Sequence, residues 1–216
     1  MQSILADVRK ESRAVYIYDR ITKLYNLSFR VNGYSKSIER FLRSRALDLP
    51  EGARVLDAGC GTGLLTLTML KMLTGPARIT ALDLSASSLL TAKRAVDESI
   101  DSSIHSASFM RANVLSLPFA DETFDLVVTS GVLEYVSLSE GLAEMARVLT
   151  PGGYLINLPF RVGLLTRTFE VIFRFRAHHM QDVDSYTNSF FRFVEHHRFP
   201  PLDPISWTKT AILAIK

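Results

Sequence analysis

The chain predicts an α/β fold built on a doubly wound parallel sheet, and three observations carry that expectation. Val55-Leu56 reads as the end of a buried strand, since β-branched and aliphatic residues suit a sheet covered on both faces. Three glycines in five positions, Gly59, Gly61 and Gly63, then let the backbone turn sharply before the helical run Leu64 to Leu70. A second strand-like run, Ala77 to Leu82, closes on Asp83, 20 residues beyond Gly63. The N–H groups opening the helix favour an anionic group, and an acid at the tip of the second strand can accept both hydroxyls of a ribose. The dinucleotide fingerprint would need its third glycine at Leu64, and the acid Asp57 opens the turn instead. These residues alone indicate an adenosine-containing ligand.

The remaining elements follow in order. Residues 1–50 read as a helical cap: a polar amino end, an aromatic-rich segment from Tyr16 to Phe29, and an amphipathic helix from Ser35 to Leu47. Pro50-Glu51-Gly52 breaks the chain before the first strand. Ser85 is a good N-cap for a helix running to about Glu98, and Ser106 to Ala112 is the third strand. Phe124 to Ser130 is the fourth strand, Leu142 to Leu149 a helix, and Tyr154 to Leu158 the fifth strand after Pro151-Gly152-Gly153. Leu164 to Arg176 is apolar and basic at once, which suits either a lid over a pocket or an interfacial helix whose arginines meet lipid headgroups. Asp182 to Ser185 reads as a loop, Phe190 to Phe199 as a helix and Ile205 to Ile215 as a terminal hairpin.

At 216 residues and 47% hydrophobic content the chain reads as one domain with a sizeable core: cap 1–50, cofactor-binding core 51–160, lid helix and hairpin 161–216. No apolar run approaches the roughly 18 residues of a membrane span. The amino end is charged too early for a signal peptide, so a cytoplasmic location is expected, with peripheral membrane contact as a further option. One cysteine rules out an internal disulfide framework, and no zinc-ligand spacing occurs. The net charge of +3 divides unevenly: residues 1–50 hold 10 basic against 5 acidic side chains, 51–160 hold 7 against 12, and 161–216 hold 8 against 5. Basic flanks around an acidic middle suit an anionic or lipid-like partner or solvated helix faces, whereas the lack of a dense basic run disfavours nucleic acid.

Val55 to Gly63, Asp83, Asn113, Phe124 to Ser130 and Leu149-Thr150-Pro151-Gly152-Gly153 resemble, in order and spacing, the class I S-adenosylmethionine-dependent methyltransferases. Tyr18-Asp19 and Tyr25-Asn26 resemble the segment ahead of the first strand in ubiquinone/menaquinone-type C-methyltransferases, with Asn26 in place of an acid. The resemblance implies a Rossmann-like, seven-stranded, mostly parallel sheet with helices on both faces and a C-terminal antiparallel hairpin. It implies S-adenosylmethionine as cofactor and S-adenosylhomocysteine as product. The implied cofactor set is Asp57, Gly59, Cys60, Gly61, Thr62 and Gly63, with Asp83-Leu84, Asn113-Val114 and Ser130-Gly131. Asn113 would meet the adenine edge, and the Ser130-Gly131 backbone would accept the cofactor's ammonium.

The acceptor pocket is expected to draw on Tyr16, Tyr18, Tyr25, Phe160 and Phe169. Methyl transfer from a sulfonium needs a base only where the acceptor must lose a proton. Glu134, Tyr135 and His178 are the candidates, Tyr135 standing where many relatives have histidine. Cys60 fills a place that needs a small residue and is assigned no nucleophilic role. No metal is expected. The expected activity is methylation of a small or lipid-like hydrophobic acceptor, neutral or anionic, by quinone C-methylation, metabolite O-methylation or phospholipid N-methylation. The alternative is a non-catalytic cofactor-binding or partner module.

Overall fold

The computed structural model describes residues 33–45, 47–73, 76–99 and 105–216. Seven strands form one sheet in the order β3-β2-β1-β4-β5-β7-β6. β1 (Ala53–Ala58) lies at its centre, parallel to β2 (Ala77–Asp83) and β4 (Phe124–Thr129). β3 (His105–Arg111) extends one edge in parallel, and β5 (Leu149–Asn157) continues beyond β4. β7 (Ala211–Ile215) then runs antiparallel to both β5 and the edge strand β6 (Phe193–His197).

Strand alternation sorts the core into two layers. Val55, Ile79 and Leu126 share one cluster with Ile38 and Phe41 of α1 (Tyr34–Arg43) and Met69 of α2 (Leu64–Met72). Leu56, Leu82 and Val127 face the other way, onto Leu142 and Met145 of α4 (Leu138–Val148) and Val183 of α6 (Met180–Phe190). Both faces of the sheet are therefore covered, as the adjacent aliphatic pairs Val55-Leu56 of β1 and Val127-Val128 of β4 require. α3 (Ala86–Asp97) follows β2, and the Ser85 hydroxyl accepts the Ser88 N–H at 3.1 Å to cap it. The helix opened by Gly63 packs so close to α3 that a Cβ on Gly63 would lie 2.9 Å from the Ala92 Cβ.

The carboxyl quarter departs from the sequence expectation. The helix read over Phe190 to Phe199 is instead strand β6, and residues 182–185, read as a loop, belong to α6. Val183 and Thr187 are the buried turns of that helix, but the polar residues between them conceal the period. The spacing of Phe191, Phe193 and Val194 suits helix or strand; pairing with β7 decides for strand. The hairpin is therefore β6–β7, not a turn within residues 205–215, where Pro204–Trp207 forms a short 3₁₀ turn. His196 and His197, within the run read as a helix, lie on β6. The apolar, basic helix α5 spans Leu164–Phe173 and stops where Arg174 adopts φ 55°.

Arg147 of α4 ties down the loop that follows β3. It donates to Glu144 Oε1 and Oε2 at 2.8 and 2.9 Å, to the Phe119 and Leu117 carbonyls at 2.8 and 3.0 Å, and to Asp121 at 2.8 Å. Its hydrogen bonds hold the Glu144 carboxyl below the usual carboxylate range. That contribution is complete above the unfolded glutamate pKa and is lost as pH falls through the depressed folded value. Arg147→Ala should therefore lower stability by about 1–2 kcal/mol at neutral pH. In urea melts the deficit should shrink in acid; a deficit independent of pH would contradict this assignment.

Candidate active site

The carboxyl ends of β1, β2, β4 and β5 converge on one rim, where open α/β sheets place their ligands. Gly59, Gly61 and Gly63 take φ values of 77°, 53° and 84°, a region closed to most side chains. A Cβ at Gly59 would stand 2.7 Å from Val132. The Gly59 and Cys60 N–H groups donate to the Leu82 carbonyl at 2.9 and 2.8 Å, drawing the turn across the tip of β2. There Asp83 accepts the Gly61 N–H at 2.9 Å with one carboxylate oxygen and the Ser85 N–H at 2.8 Å with the other. The acid thus joins the glycine turn to the start of α3.

Asp57 lies beneath the same turn and is almost fully buried. Its Oδ2 accepts the Thr66 hydroxyl at 2.5 Å, whereas Oδ1 is buried with no hydrogen-bond partner among the described residues. Burial pushes this carboxyl up to about 7, against the Thr66 hydrogen bond. Cys60 is buried too, and burial raises its thiol, which leaves it a packing residue. Thr62 lies within the turn, and Leu84 is exposed at the rim beside Asp83.

Asn113 is exposed after β3 and uses its side-chain oxygen locally, accepting the Leu115 N–H at 3.0 Å. The amide NH₂ then remains the group this side chain can offer to a base edge. Val114 next to it is buried. At the end of β4, the Ser130 hydroxyl meets the Tyr34 hydroxyl at 2.8 Å, and Gly131 takes φ 78°. Thr129 donates to the Ala58 carbonyl at 2.8 Å, fastening this end to β1.

Two members of this rim were not legible as site residues in the sequence. Lys209, within the run read as a terminal hairpin, is 1% exposed. Its ammonium donates to the Ser130 hydroxyl at 3.2 Å and the Leu158 carbonyl at 3.0 Å, and lies 3.7 Å from the centroid of the Phe160 ring. Burial lowers it to about 8, opposed by the Glu134 carboxylate. A Cβ on Gly131 would touch this ammonium and the Phe160 ring at 3.0 Å. Nothing local in Thr208-Lys209-Thr210 announces the placement. Tyr34 is the other, and its only signal was its closeness to the aromatic-rich segment.

The proposed bases are differently disposed. Glu134 is buried, its Oε1 accepts the Phe160 N–H at 2.6 Å, and its Oε2 has no partner among the described residues. Tyr135 is 43% exposed with its ring 5.7 Å from Phe175, and burial, then Glu134, raises its phenol. His178 Nε2 donates to the Leu133 carbonyl at 2.9 Å and borders an open cleft with Ser137, Asp182 and Tyr186, which shares no residue with the cofactor set. Phe160 stacks on Phe175 at 4.5 Å, and Phe169 joins that aromatic cluster beside Phe173. Tyr16, Tyr18 and Tyr25 lie outside the described residues. Among the described residues, no group of three His, Cys, Asp or Glu side chains is placed to hold a metal.

Comparison with known proteins agrees with this geometry. A family profile described as a methyltransferase domain matches residues 56–157. A 2-phytyl-1,4-naphtoquinone methyltransferase of Thermosynechococcus vestitus is 31% identical over 149 residues, 67% of this chain and 63% of that protein, so the match spans less than two thirds of that relative. A demethylmenaquinone methyltransferase of Porphyromonas gingivalis is 30% identical over 186 residues, 79% of this chain and 70% of the relative. Among solved structures, geranyl diphosphate C-methyltransferase of Streptomyces coelicolor, in complex with Mg²⁺, geranyl-S-thiolodiphosphate and S-adenosylhomocysteine, shares the fold. Its TM-score is 0.66 at 15% identity, covering 83% of this chain and 75% of that one. Fold and rim together define a class I S-adenosylmethionine-dependent methyltransferase, and the chain belongs to that family. Within it, the relatives place the chain close to the ubiquinone/menaquinone group.

The cofactor of the family is S-adenosylmethionine, and the residues present fit it. Three positive-φ glycines leave space for backbone approach, Asp83 stands at the tip of β2 beside that turn, and the Asp57 oxygen without a partner among the described residues suits a cationic ligand. Because folding raises the Asp57 pKa, its burial favours the protonated form. Its penalty is absent below the unfolded value of about 3.9 and grows until pH exceeds about 7. Without ligand, Asp57→Asn should therefore gain stability relative to the parent as pH rises from 4 to 8, read as a widening gap in melting temperature. A constant gap would contradict the buried-acid assignment.

Proposed function

We propose that this chain transfers the methyl group of S-adenosylmethionine to a small-molecule, lipid-like acceptor of the quinone type. The observation that carries the reading is the Asp83 carboxylate bonded to the Gly61 N–H, with an Asp57 oxygen beneath the same turn that has no partner among the described residues. When bound, the cofactor supplies an electrophilic methyl group on a sulfonium that leaves as a neutral thioether. The protein's task is then to bind, to align and to exclude water, and alignment alone supplies roughly 7–11 kcal/mol of barrier lowering.

The glycine turn and Asp83 hold the sugar end, and Asp57 offers a negative charge near the sulfonium-bearing end. Ser130-Gly131, braced by Tyr34 and Lys209, presents the backbone that accepts the ammonium. The Phe160–Phe175 cluster at the exit of β5 supplies an apolar wall for a flat or greasy acceptor. The quinone-type relatives and the prenyl acceptor named for the Streptomyces coelicolor neighbour support an acceptor of this kind. An anionic acceptor accords with the basic balance of residues 161–216 and with the Lys209 charge beside Phe160.

The base candidates contribute mainly by position in this reading. Glu134 anchors the Phe160 backbone, and His178 anchors Leu133. The raised Tyr135 phenol is a poor proton acceptor at neutral pH. An acceptor that is already acidic, such as a hydroquinone, needs less help in losing its proton.

The test is release of S-adenosylhomocysteine with a panel of demethylated naphthoquinols and benzoquinols. Turnover with a quinol is expected; cofactor binding with no turnover on any quinol would overturn the acceptor assignment. Every Lys209 partner accepts a hydrogen bond or offers a π face, so the ammonium is the form the geometry uses. Activity should fall as pH rises through about 8. Lys209→Met should lose about tenfold or more in kcat/KM together with that alkaline limb. A variant that keeps both would show that Lys209 only fills space.

A further inference from the structure

α5 is turned inside out. Thr166 is 1% exposed on its inner side, while Leu164 and Val171 are 86% and 80% exposed and Leu165 and Ile172 also face outward. An amphipathic helix docked on a core buries its aliphatic residues and shows its threonines, so this one is arranged for an apolar medium outside the protein. The patch continues onto the neighbouring loop, because Arg161 hydrogen-bonds the Ser206 and Thr208 carbonyls. That loop exposes Leu202 at 92% and Trp207 at 60%. The Trp207 indole N–H donates to the Pro201 carbonyl at 3.0 Å, which leaves the ring apolar toward the outside.

Among the described residues, the fully exposed charges of α5 and the segments beside it are basic. Arg161, Arg167, Arg174 and Arg176 are all exposed. The acid of this segment, Glu170, is half-buried and accepts the Ala177 N–H at 2.8 Å, and Asp203 of the loop is paired with Arg40 at 2.9 Å. An apolar face ringed by arginines, with a tryptophan at its margin, matches a bilayer surface with anionic headgroups. A helix of 10 residues is only about 15 Å long, and no helix among the described residues is long and apolar enough to cross a membrane. The contact is therefore one of lying in the interface. The inner side of the same helix carries Phe169 and Phe173 into the cluster that includes Phe160.

We infer that the outer face of α5, with Leu202 and Trp207, docks the protein on an anionic phospholipid surface, placing the aromatic wall of the acceptor site at the level of the lipid. This deepens the lipid-like acceptor reading above, yet it stands on separate observations and is read without turnover.

The full chain is mixed with vesicles of phosphatidylcholine, alone or with phosphatidylglycerol, and the bound fraction is measured by flotation. Binding is expected on the mixed vesicles, weakening as salt rises. It should fall about tenfold or more in Leu164→Asp/Val171→Asp and separately in Arg167→Glu/Arg176→Glu. Both variants alter exposed side chains and should keep the parent melting temperature and its turnover of a water-soluble quinol. Equal binding to both vesicle types, no binding, or unaltered binding by the variants would overturn the inference. So would a concentration-dependent dimer that the Leu164→Asp/Val171→Asp variant abolishes, since the occupant would then be a second copy. A marked loss of melting temperature in that variant would assign the face to the chain's own packing and overturn the inference as well. Vesicle binding without turnover would leave this inference standing and fail the quinol assignment; turnover without vesicle binding would do the reverse.

Discussion

The hydrogen bond from the Gly61 N–H to Asp83 is the constraint on which the rest of this structure depends. It joins a turn leaving β1 to the tip of β2, and so sets where α2 can begin. The left-handed path at Gly59, Gly61 and Gly63 favours glycine, and the packing of Val132 and Ala92 leaves no space for larger residues at the first and last of them. Asp57 beneath adds a cost, a carboxyl with one buried oxygen unsatisfied among the described residues. Such a group persists where ligand binding makes use of it, since a buried acceptor without a partner otherwise destabilises the fold. The cofactor site is in this sense a strained part of an ordinary parallel sheet.

The opposite side of the rim is organised by a second buried charge. Lys209 connects the ends of β4 and β5 through Ser130 and the Leu158 carbonyl while lying on the Phe160 ring. Glu134 holds Phe160 by its backbone from the other direction. The two charges bracket the aromatic residue that separates the cofactor turn from the apolar cluster at α5. An acid–base pair for chemistry and a scaffold for a hydrophobic wall look alike in sequence; here the hydrogen bonds favour the scaffold. The outer surface of α5 extends the same apolar region to the protein exterior.

Much of the sheet and the glycine turn of the candidate site could be read from the chain because local rules govern them. Strand β1, the glycine turn, Asp83, the Ser85 cap and strand β4 each announce themselves within a few residues. What escaped reading was decided by distant partners. β6 is a strand because β7 pairs with it, and its Glu195-His196-His197 carries no strand signature of its own. Lys209 reaches Ser130 only because antiparallel β7 returns the chain beside β5, 79 residues further on. Tyr34 reaches Ser130 across 96 residues. Asn113 follows β3, and its side-chain oxygen is committed to the turn, which narrows what it can offer to a base.

Calorimetric titration with S-adenosylhomocysteine tests the central claim most directly, comparing the parent protein with Asp83→Ala. Saturable one-to-one binding is expected for the parent, with affinity at least about tenfold weaker in the variant, as for the loss of a charge-assisted hydrogen bond. No heat from the parent, or equal affinity in the two proteins, would contradict the account.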